Sequence, residues 1–236
     1  MRTLAGLVCA FALTAGATTV TFDFTSSGGS LGGTSPFGDT RTYTNGIYSV
    51  TSSSFSLPGN LSGNFTTAQL NQYNTLGLAS CNQGEGSGCG APEHQVDNHG
   101  NFDFVLFQFN TTVDPTTIVI NPYGTYDRDV TYWIGNGSTN LSTIGLAGLA
   151  GAGFGSRIDD DSTVSGSART VSLGGGNGNE LLLAARLSGN GADDHLDYFK
   201  IESLTANTAV PEPATLGLGG LALTGLGLLH RRGARR

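Results

Sequence analysis

The sequence has little charge: among 236 residues, charged side chains make up 12%, about half the usual share for a globular protein. Lys and Arg total 11 and Asp and Glu total 18, which gives a net charge of -7. Binding to nucleic acid needs a basic face that neutralises phosphates. Because basic residues are so scarce, we expect no nucleic-acid partner.

Familiar catalytic signatures are also missing. The sequence contains neither G-x-S-x-G nor H-E-x-x-H, the motifs of serine hydrolases and zinc proteases. A glycoside hydrolase would need two carboxylates facing each other across a cleft, and no motif here pairs two of them. We therefore expect a protein without catalytic activity, and a hydrolase remains the alternative.

Residues 1–17 have the composition of a signal peptide. Arg2 supplies a positive charge, the stretch from Leu4 to Leu13 is apolar, and Ala15-Gly16-Ala17 fits an A-x-A cleavage site. We expect cleavage after Ala17 and export of the chain. A buried N-terminal helix is the alternative, but residues 18–24 alternate like a strand and do not continue such a helix.

Residues 208–236 have the pattern of a second targeting segment. Val210, Pro211, Glu212 and Pro213 precede an apolar stretch, residues 214–229, and a basic tail, residues 230–236. The apolar stretch is short for a bilayer span, which usually needs about 17–25 residues, and the arginines that follow it fit the positive-inside rule.

This order of elements resembles the PEP-CTERM sorting signal. The resemblance implies that the apolar stretch is a hydrophobic helix that transiently anchors the chain in the inner membrane. It also implies exosortase as the processing partner, with cleavage near Pro211–Pro213. The exported protein would then reach the cell surface or the extracellular matrix of a bacterium that makes exopolysaccharide.

Between these segments, residues 18–207 show short β-branched or aromatic runs bounded by turn residues, a pattern typical of strands. We predict an all-β fold, an antiparallel β-sandwich of jelly-roll type. We also expect a short helix over Thr66–Leu78 and a loop containing a strand over Leu141–Phe154. The predicted strands are Val20–Phe24, Ile47–Phe55, Phe102–Phe109, Thr117–Asn121, Val130–Ile134, Leu181–Leu187 and Tyr198–Leu204.

Cys81 and Cys89 are the two cysteines left after removal of the signal peptide. A pair of cysteines in an exported protein predicts a disulfide. Zinc ligation together with His94 and His99 is the alternative, but the spacing matches no familiar zinc module.

Oxygen-bearing side chains cluster after this loop, which suits Ca²⁺ because that ion takes six to eight oxygen ligands. The alternative is that Asp and Asn only form the turn. No cofactor is certain from the sequence, and Ca²⁺ is the candidate. The candidate ligands are Glu93, Asp97, Asn98 and Asp103, with Glu85 upstream, and Asp193 and Asp194 in a later acidic stretch.

Several stretches of the body are similar to an exosortase-dependent surface protein family. They are GLAS-CNQGEG, HQVDNHGNFDFVLFQF, DRDVTYWIGNG and LDYFKIESLT. The resemblance implies architecture and location but no activity. It points to His94, Val96, Asp97, Asn98, Gly100, Asp103, Trp133, Asp197 and Tyr198.

Two noncatalytic functions fit these observations. One is a structural surface or matrix protein. The other is a carbohydrate-binding module for exopolysaccharide, with Tyr123, Tyr126, Tyr132 and Trp133 as a stacking platform. Core packing is the alternative role for those aromatic residues, and exposure of their rings on one face would favour binding.

Overall fold

The computed structural model describes residues 16–26, 29–32, 37–85, 95–187 and 196–208. Thr19–Thr208 form one compact unit. Met1–Thr18 and Ala209–Arg236 form a second unit, of which only residues 16–18 are described, without regular secondary structure. The predicted signal peptide and sorting helix therefore lie almost wholly outside the described residues.

The compact unit is built from strands joined by turns and short 3₁₀ segments. The 3₁₀ segments are Gln83–Glu85, Leu141–Thr143 and Leu146–Gly148. No helix in the described part of the chain is both long and apolar enough to cross a bilayer. The strands are β1 Thr19–Asp23, β2 Ser30–Gly32, β3 Thr40–Asn45, β4 Tyr48–Pro58, β5 Thr66–Thr67, β6 Gln69–Tyr73, β7 Gly77–Cys81, β8 Val96–Asp97, β9 Asn101–Pro122, β10 Val130–Gly135, β11 Ile158–Asp160, β12 Arg169–Ser172, β13 Gly178–Ala185 and β14 Tyr198–Thr208.

The long strand β9 organises the antiparallel sheet. Its first part, residues 101–109, lies between β4 and β13, and the sheet continues through β3 and β2 on one side and through β10 and β11 on the other. Its second part, residues 113–122, lies between β14 and β12. Strands β1, β7 and β8 then pair with the other edge of β14. Strand β9 thus passes from a first layer, in which its residues 101–109 pair with β4 and β13, to a second layer, in which its residues 113–122 pair with β14 and β12.

Both layers contribute to one hydrophobic core. Val105 and Phe107 of the first layer and Ile118 and Ile120 of the second belong to the same buried cluster. Because side chains alternate along a strand, Phe104 and its neighbours of the same parity face the other side. They form a second cluster, which Leu141, Leu149 and Phe154 of the β10–β11 connection cover. The all-β, antiparallel prediction is confirmed, and each predicted strand overlaps an observed one.

The predicted helix over Thr66–Leu78 is wrong. The segment forms β5, β6 and the start of β7, with a turn at residues 74–76. Gly77 has φ +100°, which ends any helical path, and Leu70 and Leu78 are buried in the core. Strands β6 and β7 pair with each other as a hairpin, β5 pairs with β4, and β7 pairs with β14. These pairings supply the backbone hydrogen bonds and outweigh local helix propensity.

The segment Leu141–Phe154 contains no regular strand. Two 3₁₀ segments occupy it, and its only ladder contact is an isolated bridge between Gly135 and Phe154. The predicted strand in this loop is therefore wrong. Its apolar residues Leu141, Leu149 and Phe154 cover the outer face of the first layer and do not extend the sheet.

Candidate functional site

Two clusters of three carboxylates lie in the described part of the chain. The Asp103 cluster consists of Glu85, Asp97 and Asp103, and the Asp197 cluster consists of Asp127, Asp129 and Asp197. Within each cluster, one carboxylate oxygen of every residue lies within 4.8 Å of those of the other two. Clustered hard oxygen atoms are the ligand type that Ca²⁺ and Mg²⁺ take in proteins.

Three separate chain segments bring the Asp103 cluster together. Glu85 ends the 3₁₀ segment after β7, Asp97 lies in the short strand β8, and Asp103 lies near the start of β9. Asp97 and Asp103 are buried, at 1% and 0% exposure, whereas Glu85 is half-buried. The cluster therefore has two carboxylates inside the protein and one that leads towards its surface.

Asp103 carries an uncompensated polar atom. Its Oδ1 accepts a hydrogen bond from Asn82 Nδ2 at 3.4 Å, but its Oδ2 is buried without a hydrogen-bond partner. Burial raises the pKa of Asp103 well above its usual range, and the negative charges of Asp97 and Glu85 raise this pKa further. The polar side chains of Asn82 and Ser80 lower this pKa and offset part of that effect.

Amide groups hold the surroundings of the cluster in place. Asn82 Oδ1 accepts hydrogen bonds from Gly84 N at 3.0 Å and Asn101 Nδ2 at 3.1 Å. The backbone N–H of Asn82 donates to Glu85 Oε2 at 3.0 Å, and that of His99 donates to Asp97 Oδ1 at 2.9 Å. These bonds orient two of the three carboxylates before any ligand arrives.

A cavity of about 490 Å³ adjoins the cluster. Its lining consists of Asn82, Gly84, Glu85, His99, Gly100 and Asn101. Glu85 belongs to both the cluster and the lining, so the cavity connects the carboxylates with solvent. The lining is predominantly polar, which suits water or a hydrophilic ligand.

The Asp197 cluster is hydrogen-bonded more completely. Asp197 Oδ1 accepts from Asp129 N at 2.8 Å, and Asp197 Oδ2 accepts from Asn98 Nδ2 at 2.8 Å. The backbone N–H of Ser162 donates to Asp129 Oδ1, and that of Arg128 donates to Asp127 Oδ1 at 2.7 Å. Most oxygen atoms of this cluster thus already have protein donors.

Positive charge also reaches the Asp197 cluster. The guanidinium of Arg169 interacts electrostatically with all three of its carboxylates and donates to the carbonyl oxygen of Arg128 at 2.7 Å. Even so, burial raises the pKa of Asp197 to about 8, and the charges of Asp129 and Asp127 contribute to this rise. We expect Asp197 to be protonated in the folded protein at neutral pH.

The two clusters meet at the pairing of β8 with β14. Asp97 lies opposite Tyr198 in the register, and Asn98 exchanges hydrogen bonds with Asp197. Two stretches singled out in the sequence, one around residues 95–100 and one around residues 196–200, therefore lie side by side. Sequence separation hid this contact, which only the antiparallel pairing creates.

The predicted aromatic platform is not a single surface. Tyr132 and Trp133 are buried, at 2% and 6% exposure, and belong to different core clusters, so neither can stack on a sugar. Successive residues of a strand face opposite sides, which explains their separation. Tyr123 and Tyr126 are exposed and stack on each other, with ring centroids 6.2 Å apart. Only these two remain candidates for ligand stacking.

The predicted calcium ligands are divided by the structure. Asp97 and Asp103 come together, while Asn98 instead hydrogen-bonds Asp197. Glu85, which the sequence placed only upstream of the predicted ligands, completes the Asp103 cluster. Asp127 and Asp129 were not predicted as ligands either. Their alternate positions just before β10 are the sequence signal that could have identified them. Glu93, His94, Asp193 and Asp194 lie outside the described residues, as does Cys89, so the Cys81–Cys89 disulfide stays a prediction.

The comparison with known families concerns the C-terminal segment. Residues 209–232 match the family model of the PEP-CTERM protein-sorting motif. The chain carries a PEP-CTERM sorting motif. The sorting motif indicates an exported protein that exosortase processes and that is anchored only transiently in the membrane before release to the surface. No curated protein matches the chain.

Proposed function

We propose that residues 18–207 form a noncatalytic structural domain that exosortase delivers to the cell surface or extracellular matrix. The sorting motif at residues 209–232 is the observation that carries this proposal. Low charge and a continuous β-sandwich core suit a protein that persists outside the cell.

The geometry around the cavity favours a noncatalytic role over glycoside hydrolysis. Hydrolysis of a glycosidic bond uses two carboxylates that face each other across the substrate. Glu85 is the one acidic side chain that lines the described cavity, and Asp103 is fully buried behind it. The carboxylates here converge on one point, as ligands of a cation do.

The sorting step is tested by following the chain in two host strains, one with and one without exosortase. We expect the wild-type protein outside the cell, with a new C-terminus near Pro211–Pro213 determined by mass spectrometry. A Pro211→Ala/Pro213→Ala variant should remain uncleaved in the membrane fraction. Pro58→Ala, the same substitution in an exposed residue of β4, is the control and should be released normally. Equal release from both strains would contradict the proposal.

Carbohydrate binding is the second candidate function, and the stacked pair Tyr123 and Tyr126 favours it. Exposed aromatic rings give sugars an apolar face on which to pack. Calorimetric titration with the host's exopolysaccharide tests this role. Binding that weakens in Tyr123→Ala but not in Ile47→Ala, where a similarly exposed apolar residue is removed elsewhere, would support it. Absence of heat with the wild-type protein would eliminate it for that polysaccharide.

A further inference from the structure

We propose that Glu85, Asp97 and Asp103 bind one Ca²⁺ through their converging carboxylates. The three residues come from three structural elements, the 3₁₀ segment after β7, β8 and β9, and one oxygen of each lies within 4.8 Å of the others. A second observation points to a ligand: Asp103 is fully buried, and its Oδ2 has no hydrogen-bond partner. A buried carboxylate oxygen left without a partner is costly in a folded protein unless a cation or donor meets it.

The charge around Asp103 is unbalanced in a way that a cation corrects. Among the described residues, the charged groups that act most strongly on this side chain are Asp97 and Glu85, and both are negative. The Asp197 cluster differs, because the guanidinium of Arg169 interacts with each of its carboxylates. N–H groups also donate to both oxygens of Asp197 and to one oxygen of Asp127, and the other oxygen of Asp127 is buried without a hydrogen-bond partner. We therefore assign the cation to the Asp103 cluster and not to its neighbour.

The ligand type favours calcium among the common divalent ions. Two oxygens bound to one Ca²⁺ at 2.3–2.6 Å lie at most about 5 Å apart, and the three carboxylate oxygens all lie within 4.8 Å of one another. Mg²⁺ demands near-ideal octahedral geometry and is usually bound by one or two carboxylates plus water, whereas Ca²⁺ accepts several carboxylates in flexible geometry. Zn²⁺ prefers nitrogen and sulfur ligands, whereas these ligands are all carboxylates.

Water completes the coordination shell from the cavity side. Three carboxylates supply three to six oxygen ligands, and Ca²⁺ takes six to eight. Glu85 lines the cavity of about 490 Å³, which gives water access to the ion. Asn82 is not one of the ligands, because its amide oxygen already accepts hydrogen bonds from Gly84 and Asn101.

The bound ion would connect three segments of the fold. It would join the 3₁₀ segment after β7 to β8 and to the start of β9. An ion that binds the folded state and not the unfolded chain stabilises the fold by mass action. Calcium sites of extracellular modules have Kd values of about 10⁻⁴–10⁻³ M, and we expect a value in this range.

The experiment combines calorimetric titration of the purified full chain with CaCl₂ and thermal unfolding in EDTA or in excess Ca²⁺. We expect one site, and a rise in Tm of about 5–10 °C when Ca²⁺ reaches 100 times its Kd. Asp103→Asn should abolish both signals. Because that substitution is in the core, Glu85→Gln is the second variant, and it changes a half-buried side chain and should weaken binding at least tenfold.

Two controls of identical chemistry accompany these variants. Asp114→Asn removes a carboxylate from a half-buried position of β9, far along the strand from the cluster, and should bind Ca²⁺ like the wild type. Asp127→Asn alters the Asp197 cluster and should also retain binding. In EDTA, Asp103→Asn should be as stable as the wild type or more stable, since it removes a buried like charge.

Several results would overturn the proposal. Absence of Ca²⁺ heat and of a Tm shift in the wild type would do so, as would binding that survives both Asp103→Asn and Glu85→Gln. Loss of binding in Asp127→Asn alone would move the site to the other cluster. An equal response to Mg²⁺ at the same concentration would contradict the assignment to calcium.

Discussion

Removal of the Asp197 carboxylate should change how the stability of the protein depends on pH. Burial and the charges of Asp129 and Asp127 raise the pKa of Asp197 from 3.8 to about 8. The groups that face it are Asn98, Asp127, Asp129 and the guanidinium of Arg169. In the unfolded chain this carboxyl ionises near 3.8, so between pH 4 and pH 8 the folded state holds a proton that the unfolded state has lost.

The sign and size of the effect follow from this difference. The destabilisation is absent below pH 3.8, grows as the pH rises, and is complete above the folded-state pKa of about 8. One proton bound only by the folded state lowers the free energy of unfolding by about 1.4 kcal/mol for each pH unit. Between pH 5 and pH 7 the contribution of Asp197 is therefore a loss of about 2.7 kcal/mol.

The assay is urea unfolding at pH 5, 6, 7 and 8, with EDTA present so that cation binding does not contribute. Asp197→Asn should show a free energy of unfolding that falls less with pH than that of the wild type, by about 1.4 kcal/mol per unit at most. The slope is the readout, because an amide in place of this carboxylate also faces the N–H groups of Asp129 and Asn98 and lowers stability at every pH. Asp114→Asn, a change of the same kind, should keep the wild-type slope. If Asp197→Asn has the wild-type slope, the inferred protonation of Asp197 is wrong.

Three further predictions concern the core and the sheet. Gly77→Ala should destabilise the protein by more than about 1 kcal/mol in urea unfolding, because Gly77 has φ +100° and a Cβ there would overlap the carbonyl oxygen of Ile201; a neutral result would mean that this turn relaxes. Trp133→Ala should lower the free energy of unfolding by about 3–5 kcal/mol, since the Trp133 ring is buried near Phe104. A stable variant that has lost only sugar binding would contradict the assignment of Trp133 to the core. Tyr126→Ala should cost less than Trp133→Ala in the same assay, because 39% of Tyr126 is exposed, and an equal loss would show that the stacked tyrosines are structural.

Local patterns in the sequence were sufficient for much of the architecture. Alternation of apolar and polar residues depends only on the geometry of a strand, and it identified β1, β10 and the start of β14 close to their observed positions. The prediction for Thr66–Leu78 failed because its local preference is weak, and pairing between β6 and β7, together with pairing to β4 and β14, decided its conformation. The length of β9 was also missed, since the exposed polar residues at positions 110–112 resemble a loop although the strand continues through them.

Only part of the candidate site could be predicted from the sequence, because some of its residues meet only through tertiary packing. Asp97 and Asp103 are close in the chain, and their spacing indicated a shared role. Glu85 joins them through the packing of the segment after β7 against β8 and β9, and no local pattern encodes that contact. Asn98 was predicted as a ligand because of its neighbours in the sequence, but strand pairing places it in a hydrogen bond with Asp197 instead.

The sorting address is a property that the sequence alone determines. The order of a short motif, an apolar stretch and a basic tail is read along the chain, and the match at residues 209–232 needs no tertiary contact. The strand pattern is likewise local, because each residue's direction follows from the strand period. Which carboxylates share a site, and whether Trp133 faces solvent or core, was decided only by tertiary structure, because both depend on β-pairings between residues that are distant in the chain.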